Sequence, residues 1–270
     1  MIITEENVEK TEQELLKTSA SFVNLYDPAY FNILKELSLT DNDGNTGIFK
    51  VFTYKNSLRF SVLVSQNPCL EMIDWLVDEI KKYIKDNKKD TILLWYSQIN
   101  GFSNTLLEKL NYTDPYRYYL FRIERDDIDT NIDMKGLTKR RCTEDMIDIC
   151  IDVMEDLFTP FPDSPGSFRD DKERITKDFL CDDGGATLFF KDDELVGFCG
   201  HKGGHFTEVC VRKEYQGKGY GEVIVRSVLK SVYESGYNAE LTTGNYNERA
   251  IALYQKTGFK KVYESIRVYL

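Results

Sequence analysis

The chain has 270 residues, of which 41% are hydrophobic and 30% are charged, so it is long enough for two domains and too apolar to be disordered. Its formal net charge of −10 disfavours a nucleic-acid-binding face, which needs clustered lysines and arginines, and suits a cationic partner such as an amine. No apolar run approaches the roughly 20 residues that cross a membrane, and the polar N-terminus has no signal-peptide core, so we expect a cytoplasmic protein with neither a membrane nor a nucleic-acid partner.

The cysteines and histidines give no disulfide or metal pattern. None of the six cysteines forms a CxxC pair, and a chain of this size needs no covalent staples, so we expect reduced thiols. Cys199, His201, His205 and Cys210 lie close together in sequence and are residue types that bind zinc. Their spacing does not match that of a zinc site, and we therefore expect no bound metal.

Hydrophobic periodicity predicts the elements of the first half. Residues 28–39 are predicted as a helix, with Phe31, Leu34 and Leu37 on one face, and residues 41–45 (DNDGN) indicate a turn. The other predicted elements are a polar helix at 1–20, strands at 48–54 and 58–64 joined by a turn at 55–57, a helix at 70–86, a buried strand at 91–96, a short helix ending near Asn111 and a strand at 116–123.

The charged residues 124–133 are predicted to link two domains, at 1–130 and 131–270.

Residues 158–166 hold three of the six prolines and are predicted to form an ordered loop, because proline fixes φ. The helices predicted for the second domain are 144–157, 167–180, 221–235 and 247–257, the first with Met146, Ile149, Cys150 and Val153 facing the core. The predicted strands are 137–142, 186–191, 194–200, 205–212, 239–243 and 261–269, with a turn at Asp192 and Asp193.

A glycine-rich segment joins the strand at 205–212 to the helix that follows. Residues 216–221 (QGKGYG) include Gly217, Gly219 and Gly221, and glycine lets a ligand approach the main chain closely. Backbone N–H groups that converge beside a helix N-terminus favour a diphosphate. The segment lacks the Lys-Ser/Thr pair of a P-loop and the acidic residue that follows a dinucleotide-binding loop. A glycine-capped helix without a ligand is the alternative.

Two motifs together resemble those of the GNAT N-acetyltransferases, over about residues 135–270. Residues 216–221 fit the family's Q/R-x-x-G-x-G/A motif, with Val211 ending the preceding strand, and residues 247–259 (NERAIALYQKTGF) fit its second motif. The resemblance implies an α/β fold with a mixed, mostly antiparallel sheet flanked by helices. It also implies direct transfer of an acetyl group from acetyl-CoA to a primary amine of a small molecule or peptide, in a ternary complex.

The resemblance also assigns residues to acetyl-CoA. Val209 and Val211 would pair with the pantetheine arm through their main chain, and Lys218 would add a charge contact or remain a solvated surface residue. Asn247 would lie near the pantetheine, cap the following helix, or do both. The residues assigned to acetyl-CoA are Val209, Cys210, Val211, Gln216, Gly217, Lys218, Gly219, Tyr220, Gly221, Asn247 and Tyr254.

Two residues are expected to perform the chemistry. Tyr254 occupies the family's general-acid position, from which a phenol protonates the departing thiolate; packing of its ring is the alternative. The general base is Glu208 or His205, and we favour Glu208 because related enzymes often carry an acid just before the strand segment that pairs with pantetheine. Phe158 and Phe161 contact the acceptor or pack in the core.

The two halves of the chain resemble each other after a shift of 147 residues. The aligned pairs include Leu94 with Leu241, Asn100 with Asn247, Leu106 with Leu253, Lys109 with Lys256 and Tyr116 with Tyr263. This alignment predicts a tandem of two GNAT-like units. The first copy would be degenerate, because residues 65–70 (SQNPCL) contain no glycine and Leu107 replaces Tyr254. An unrelated α/β domain is the alternative.

Two other functions remain open. A catalytically silent acyl-CoA-binding sensor or scaffold would need the loop but not the tyrosine. Aminoacyl transfer from tRNA, known among tandem GNAT-like proteins, is disfavoured by the acidic composition. We expect a small-molecule amine as the partner and a monomer or homodimer as the assembly.

Overall fold

A computed structural model describes residues 1–18, 32–54, 57–65, 69–86, 90–95, 101–112, 116–161 and 167–269. The chain divides into two compact units, each built from more than one segment. The first comprises Met1–Leu120, Thr243–Tyr246 and Lys261–Leu270, and the second comprises Phe121–Thr242 and Asn247–Lys260. The predicted boundary at residue 130 stays a prediction. In the described part of the chain, no helix combines the length and the apolar character needed to cross a membrane.

The first unit is an α/β unit. Its strands are β1 (Ile2–Thr4), β2 (Asn32–Thr40), β3 (Thr46–Tyr54), β4 (Ser57–Val64), β5 (Asp90–Trp95), β6 (Tyr116–Ile123) and β12 (Lys260–Tyr269), and its helices are α1 (Val8–Thr18), α2 (Leu70–Asp86) and α3 (Gly101–Lys109). The sheet has the order β1-β2-β3-β4-β5-β12, in which β4 and β5 run parallel and the other neighbours antiparallel.

The core of the first unit lies between this sheet and α2. The apolar stripe predicted for the helix is confirmed, because Ile73, Leu76 and Ile80 are buried. Phe49 of β3 and Phe60 of β4 stack with ring centroids 6.0 Å apart. Burial of these side chains, and not helix propensity alone, therefore stabilises α2 in place.

The prediction of a helix over residues 28–39 is wrong. Residues Asn32–Thr40 form β2, which pairs with β1 on one side and with β3 on the other. Leu34, placed on the apolar face of the predicted helix, is 47% exposed, whereas Leu37 and Leu39 are buried. Leucine is a good helix former, but hydrogen bonding to two neighbouring strands overrides a weak local propensity. Phe31 lies outside the described residues.

The second unit is also an α/β unit. Its strands are β7 (Thr138–Arg141), β8 (Gly184–Lys191), β9 (Glu194–Lys202), β10 (His205–Val211) and β11 (Ala239–Gly244), and its helices are α4 (Ile147–Phe158), α5 (Lys172–Phe179), α6 (Tyr220–Glu234) and α7 (Glu248–Lys256). The sheet order is β11-β10-β9-β8-β7, with β10 and β11 parallel and the other neighbours antiparallel. Helix α6 packs against β8, β9 and β10. The predicted fold class, a mixed and mostly antiparallel sheet with helices, is confirmed.

The turn predicted between the second and third strands of this unit is also confirmed. Asp192 and Asp193 join β8 to β9 with φ angles of 51° and 64°. Two consecutive positive φ angles are the geometry of a type I′ turn, which matches the twist of a hairpin.

The buried face of helix α4 differs from the predicted one. A 3-10 turn occupies Glu144–Met146, and the α-helix begins only at Ile147. The side chain of Ile149 was predicted to face the core, but it is 45% exposed; Cys150 and Val153 are buried as predicted. The later start of the helix rotates the buried stripe, which runs through Ile147, Cys150, Ile151 and Met154.

The charged stretch 124–133 contacts the second unit through specific bonds. Arg125 donates its backbone N–H to the Asn238 side chain, 2.9 Å away, and its Nε to the Tyr233 carbonyl, 3.1 Å away. Asp129 forms an ion pair with Arg226 at 3.3 Å. These residues are therefore part of the second unit's structure as well as a connection.

A buried carboxylate organises the predicted turn at 41–45 and the start of α2. Asp41 is 5% exposed and accepts hydrogen bonds from the backbone N–H groups of Asp43, Asn45 and Cys69, at 2.8–3.0 Å. Cys69 immediately precedes α2, so the carboxylate lies at the positive end of the helix dipole. Burial raises the pKa of Asp41, but the hydrogen bonds from Asn45 and Cys69 outweigh it and lower that pKa to about 2.

We predict that Asp41→Ala lowers the free energy of unfolding of the first unit by about 1–3 kcal/mol, because several backbone donors lose their acceptor. The stabilisation is fully present above the ordinary pKa of 3.8 and is lost as the pH falls through about 2. Urea unfolding at pH 7 and at pH 3 measures both effects. Asp43→Ala is the control, since the Asp43 side chain is exposed; equal stability of the two variants would contradict the prediction.

Candidate functional site

Strands β10 and β11 separate after a single pair. His205 pairs with Glu240, and Leu241 and Thr242 of β11 have no partner on β10. The corresponding parallel strands of the first unit, β4 and β5, pair at six positions, from Ser57 with Asp90 to Val62 with Trp95. Beyond His205 the edge of β10 that faces β11 is therefore left without ladder partners.

A β-bulge in β10 accompanies this separation. Phe206 pairs with His201 of β9 and Val209 pairs with Cys199, so β10 has one residue more than β9 between the two pairs. Gly200 makes room for the extra residue, since a Cβ at this position would lie 2.5 Å from Thr207 Oγ1. A bulge ends regular pairing and redirects the side chains that it contains, which here include Glu208.

Glu208 lies inside the bulge as a half-buried residue whose Oε2 atom is buried. Its Oε2 has no hydrogen-bond partner within the described residues. Burial raises the pKa of Glu208 above its ordinary value of 4.5, and a hydrogen bond with Thr207 and the charge of Arg174 offset this only in part. A carboxylate with a raised pKa is a stronger base than an exposed one and suits proton abstraction near neutral pH.

His205, the other candidate base, lies at the last paired position. Its neighbours are Lys202 on β9 and Glu240 on β11, so it stands at the point where the strands begin to separate. Burial lowers the pKa of His205, against the effect of the Glu240 charge. Of the two candidates, only Glu208 lies in the separated part of β10.

A 3-10 turn at Lys213–Tyr215 connects β10 to the glycine-rich loop, which leads into α6. Gly217 and Gly219 have φ angles of 75° and 81°, the left-handed region that favours glycine. In the described part of the chain, no hydrogen bond is found for the backbone N–H groups of Gly217, Lys218 and Gly219. The Gln216 side chain donates to the Val211 carbonyl at 2.9 Å and so ties the loop to the end of the strand.

The remaining side chains of the loop have structural contacts. The Lys218 ammonium lies over the Tyr215 ring, 5.3 Å from its centroid. The Tyr220 hydroxyl accepts a hydrogen bond from Lys191 at 2.9 Å. A Cβ at Gly221 would lie 3.3 Å from Leu253 of α7, so glycine there permits close packing of α6 and α7. The contribution of the loop to binding would therefore come from its main chain.

Asn247 and Tyr254 both belong to α7: Asn247 precedes its first residue and Tyr254 lies within it. Asn247 caps the helix, since its Oδ1 accepts from the Ala250 N–H at 3.3 Å; the predicted capping role is confirmed, and contact with pantetheine stays a prediction. Tyr254 is buried beside Phe121 and Phe259, with ring centroids 6.2 and 6.0 Å away. No side-chain hydrogen bond of Tyr254 is found among the described residues.

Two buried thiols, those of Cys199 and Cys210, lie near both catalytic candidates, Glu208 and Tyr254. Burial, followed by the charges of Cys199 and Cys210, raises the pKa of Tyr254, so the phenol keeps its proton at physiological pH. Burial and then Glu208 raise the pKa of both thiols. Glu208 and Tyr254 therefore both lie within electrostatic range of the same two cysteines. Neutral buried thiols are weak nucleophiles and weak metal ligands.

The comparisons with known proteins identify this region. A family model described as Acetyltransferase (GNAT) family matches residues 151–259, a range that includes the bulged strand, the glycine loop, α6 and α7. Residues 151–259 therefore resemble a GNAT acetyltransferase domain. A human relative named N-acetyltransferase 8B is 31% identical over 111 residues, and the match covers 37% of this chain and 49% of that protein. The chain thus spans about half the length of this curated relative.

Solved structures show that the GNAT fold extends beyond the matched segment. A GCN5-related N-acetyltransferase from Sphaerobacter thermophilus is similar with a TM-score of 0.67 and 18% identity, over 95% of this chain and 85% of that one. A tandem GNAT protein from the clavulanic acid biosynthesis pathway is similar with a TM-score of 0.65 and 10% identity, over 98% and 96%. At such identities the likeness shows the fold alone.

Two features of the site were missed from the sequence. The bulge at Thr207 and Glu208 has no local motif, although Gly200 inside an otherwise apolar strand was a usable signal for a close approach of neighbouring backbone. The engagement of Lys218 with Tyr215 could not be predicted, because spacing does not indicate the direction of a flexible side chain.

We predict that Gly219→Ala weakens CoA binding by at least about tenfold. Alanine at a φ of 81° strains the loop backbone, and its Cβ would lie 2.6 Å from Lys135 Nζ, so the lysine side chain must also move. Gly236→Ala is the matched control, since Gly236 has a φ of 84° and open space around it. Calorimetry should show CoA affinity lost in the first variant and kept in the second; equal affinities would contradict the assignment of the loop.

Proposed function

We propose that the second unit is an acyl-CoA-dependent N-acetyltransferase that moves the acetyl group of acetyl-CoA to a primary amine of a small molecule or peptide. The observation that carries this proposal is that two sets of backbone groups lack partners within the described residues, one at the edge of β10 beyond His205 and one in the glycine loop, with a short hydrogen-bonded turn between them. An extended pantetheine arm can pair with such an edge as an added strand would, and a diphosphate can accept from the loop amides beside the N-terminus of α6.

The residues on the two separating strands fit acetyl-CoA. Glu208 Oε2 and Thr242 Oγ1, which belong to the two separating strands, are buried without hydrogen-bond partners in the described part of the chain. Buried polar atoms normally have partners, so their presence here indicates a polar group that completes the site. When bound, acetyl-CoA supplies an activated acetyl group as a thioester.

In the proposed reaction the chain's own groups move two protons. Glu208 accepts a proton from the ammonium form of the acceptor, so that the free amine attacks the acetyl carbon. Tyr254 donates its phenolic proton to the departing thiolate sulfur. The nitrogen then loses its second proton, which restores the Tyr254 phenol, and the proton on Glu208 passes to solvent. The N–C bond forms as the C–S bond breaks, and no enzyme-bound acyl group is needed, since Cys199 and Cys210 are held as neutral thiols.

We predict that Glu208→Gln lowers kcat by about 100-fold or more, because the amine loses its proton acceptor. The wild-type rate should fall as the pH drops through the raised pKa of Glu208, and the variant should lack this acidic limb. A raised pKa in the folded state means that ionisation of Glu208 costs stability as the pH rises, so the variant should also melt at a higher temperature at pH 8.

Steady-state release of CoA with a panel of amines measures the rate, and calorimetry measures melting. Glu214→Gln is the control, since Glu214 is exposed and pairs with Arg212. A variant at position 208 with the wild-type rate and the wild-type pH profile would show that the base lies elsewhere, with His205 the first alternative.

We predict that Tyr254→Phe lowers kcat by at least about tenfold and leaves the affinity for CoA within about threefold of wild type. The ring still packs on Phe121 and Phe259, and no hydrogen bond of the hydroxyl is lost within the described residues, so folding should be little affected. Tyr237→Phe, at an exposed tyrosine, is the control. Unchanged function in the Tyr254 variant, together with intact CoA binding, would favour the silent sensor.

A further inference from the structure

The glycine loop lies beside a lysine from another part of the second unit. Lys135 Nζ lies 2.6 Å from the position that a Cβ on Gly219 would occupy, so the ammonium fills the space left open by this glycine. Lys135 precedes β7 and is far from the loop in sequence, which is why neither motif includes it. We infer that Lys135 binds the diphosphate of the nucleotide; this inference rests on the proposed function.

The other cations near the loop already have partners. Arg212 pairs with Glu214 at 2.7 Å, and Lys213 pairs with Asp156 at 2.5 Å. Arg226 and Lys256 both pair with Glu222, at 3.2 and 2.7 Å. The ammonium of Lys218 lies over Tyr215, and that of Lys191 donates to Tyr220.

Lys135 differs from all of these. Within the described ranges, its Nζ has neither a carboxylate nor an aromatic partner, although it is next to backbone amides that lack acceptors. A diphosphate in this position would accept from the loop amides and pair with the ammonium at once. Since the protein carries a net charge of −10, a local cation is needed to hold an anion there.

The backbone around Lys135 holds it in this position. Lys135 and Gly136 have φ angles of 48° and 76°, the geometry of a type I′ turn, closed by a bond from the Leu137 N–H to the Met134 carbonyl at 2.8 Å. The Asp133 side chain accepts from the Lys135 N–H at 2.9 Å, and Leu137 is buried. A lysine at positive φ is uncommon and costs conformational energy, and the tight turn anchors its Cα close to the loop.

The test compares Lys135→Met, Lys135→Arg, Lys218→Met and the matched control Lys230→Met, with binding of CoA and of dephospho-CoA measured by calorimetry; Lys230 is an exposed lysine of α6 outside the residues assigned to acetyl-CoA. Methionine keeps the length of the side chain and removes the charge. We expect Lys135→Met to weaken both ligands about tenfold or more, and Lys135→Arg to restore most of the affinity. Lys230→Met should stay within about threefold of wild type. The loss in Lys135→Met should shrink at high salt, because ions screen an exposed charge.

Each other outcome overturns the inference in a distinguishable way. Wild-type affinity in Lys135→Met would remove Lys135 from the site while leaving the proposed function intact. A loss seen with CoA but not with dephospho-CoA would place Lys135 at the 3′-phosphate instead of the diphosphate. A larger loss in Lys218→Met than in Lys135→Met would reassign the charge contact to Lys218. Failure of the wild-type protein to bind CoA would overturn the proposed function and this inference together.

Discussion

The separation of β10 from β11 is the constraint on which the rest of the second unit's site depends. Backbone N–H and C=O groups inside a sheet are almost always paired, so a gap between neighbouring strands is costly unless something fills it. A bulge at Thr207 and Glu208 in the pairing of β10 with β9 accompanies this gap, and the missing side chain of Gly200 makes room for the bulge. Glu208 lies in the bulge with its Oε2 buried, so the open strand edge and a carboxylate with a raised pKa occur at the same place.

The two units show what this irregularity changes. Adding 147 to the bounds of α3 (101 and 109) gives 248 and 256, the bounds of α7, and the same shift brings β4 onto β10 and β5 onto β11. In the first unit, however, the equivalent parallel strands pair at six positions. The element order of the internal repeat is thus kept, while the opening between the strands is present only in the second unit.

The sequence predicted those parts of the structure that follow from local periodicity and motifs. The stripe of α2, the turn at Asp192 and Asp193, and the cap at Asn247 all depend on residues within a few positions of one another. The predicted helix at 28–39 failed because pairing with two strands decided the conformation of Asn32–Thr40. The bulge and the placement of Lys135 depend on contacts between distant segments, which periodicity does not report.

Asp41 gives the first unit a property that the second unit lacks. Its carboxylate is an anion built into the chain at the start of α2, with the backbone N–H groups there already satisfied. At the equivalent end of α6, amides of the glycine loop have no acceptor within the described residues, and under the proposed function their anion is the diphosphate of acetyl-CoA. Under that proposal, nucleotide stabilises the second unit by a free energy that grows with the logarithm of its concentration, whereas the Asp41 carboxylate acts on the first unit at any nucleotide concentration.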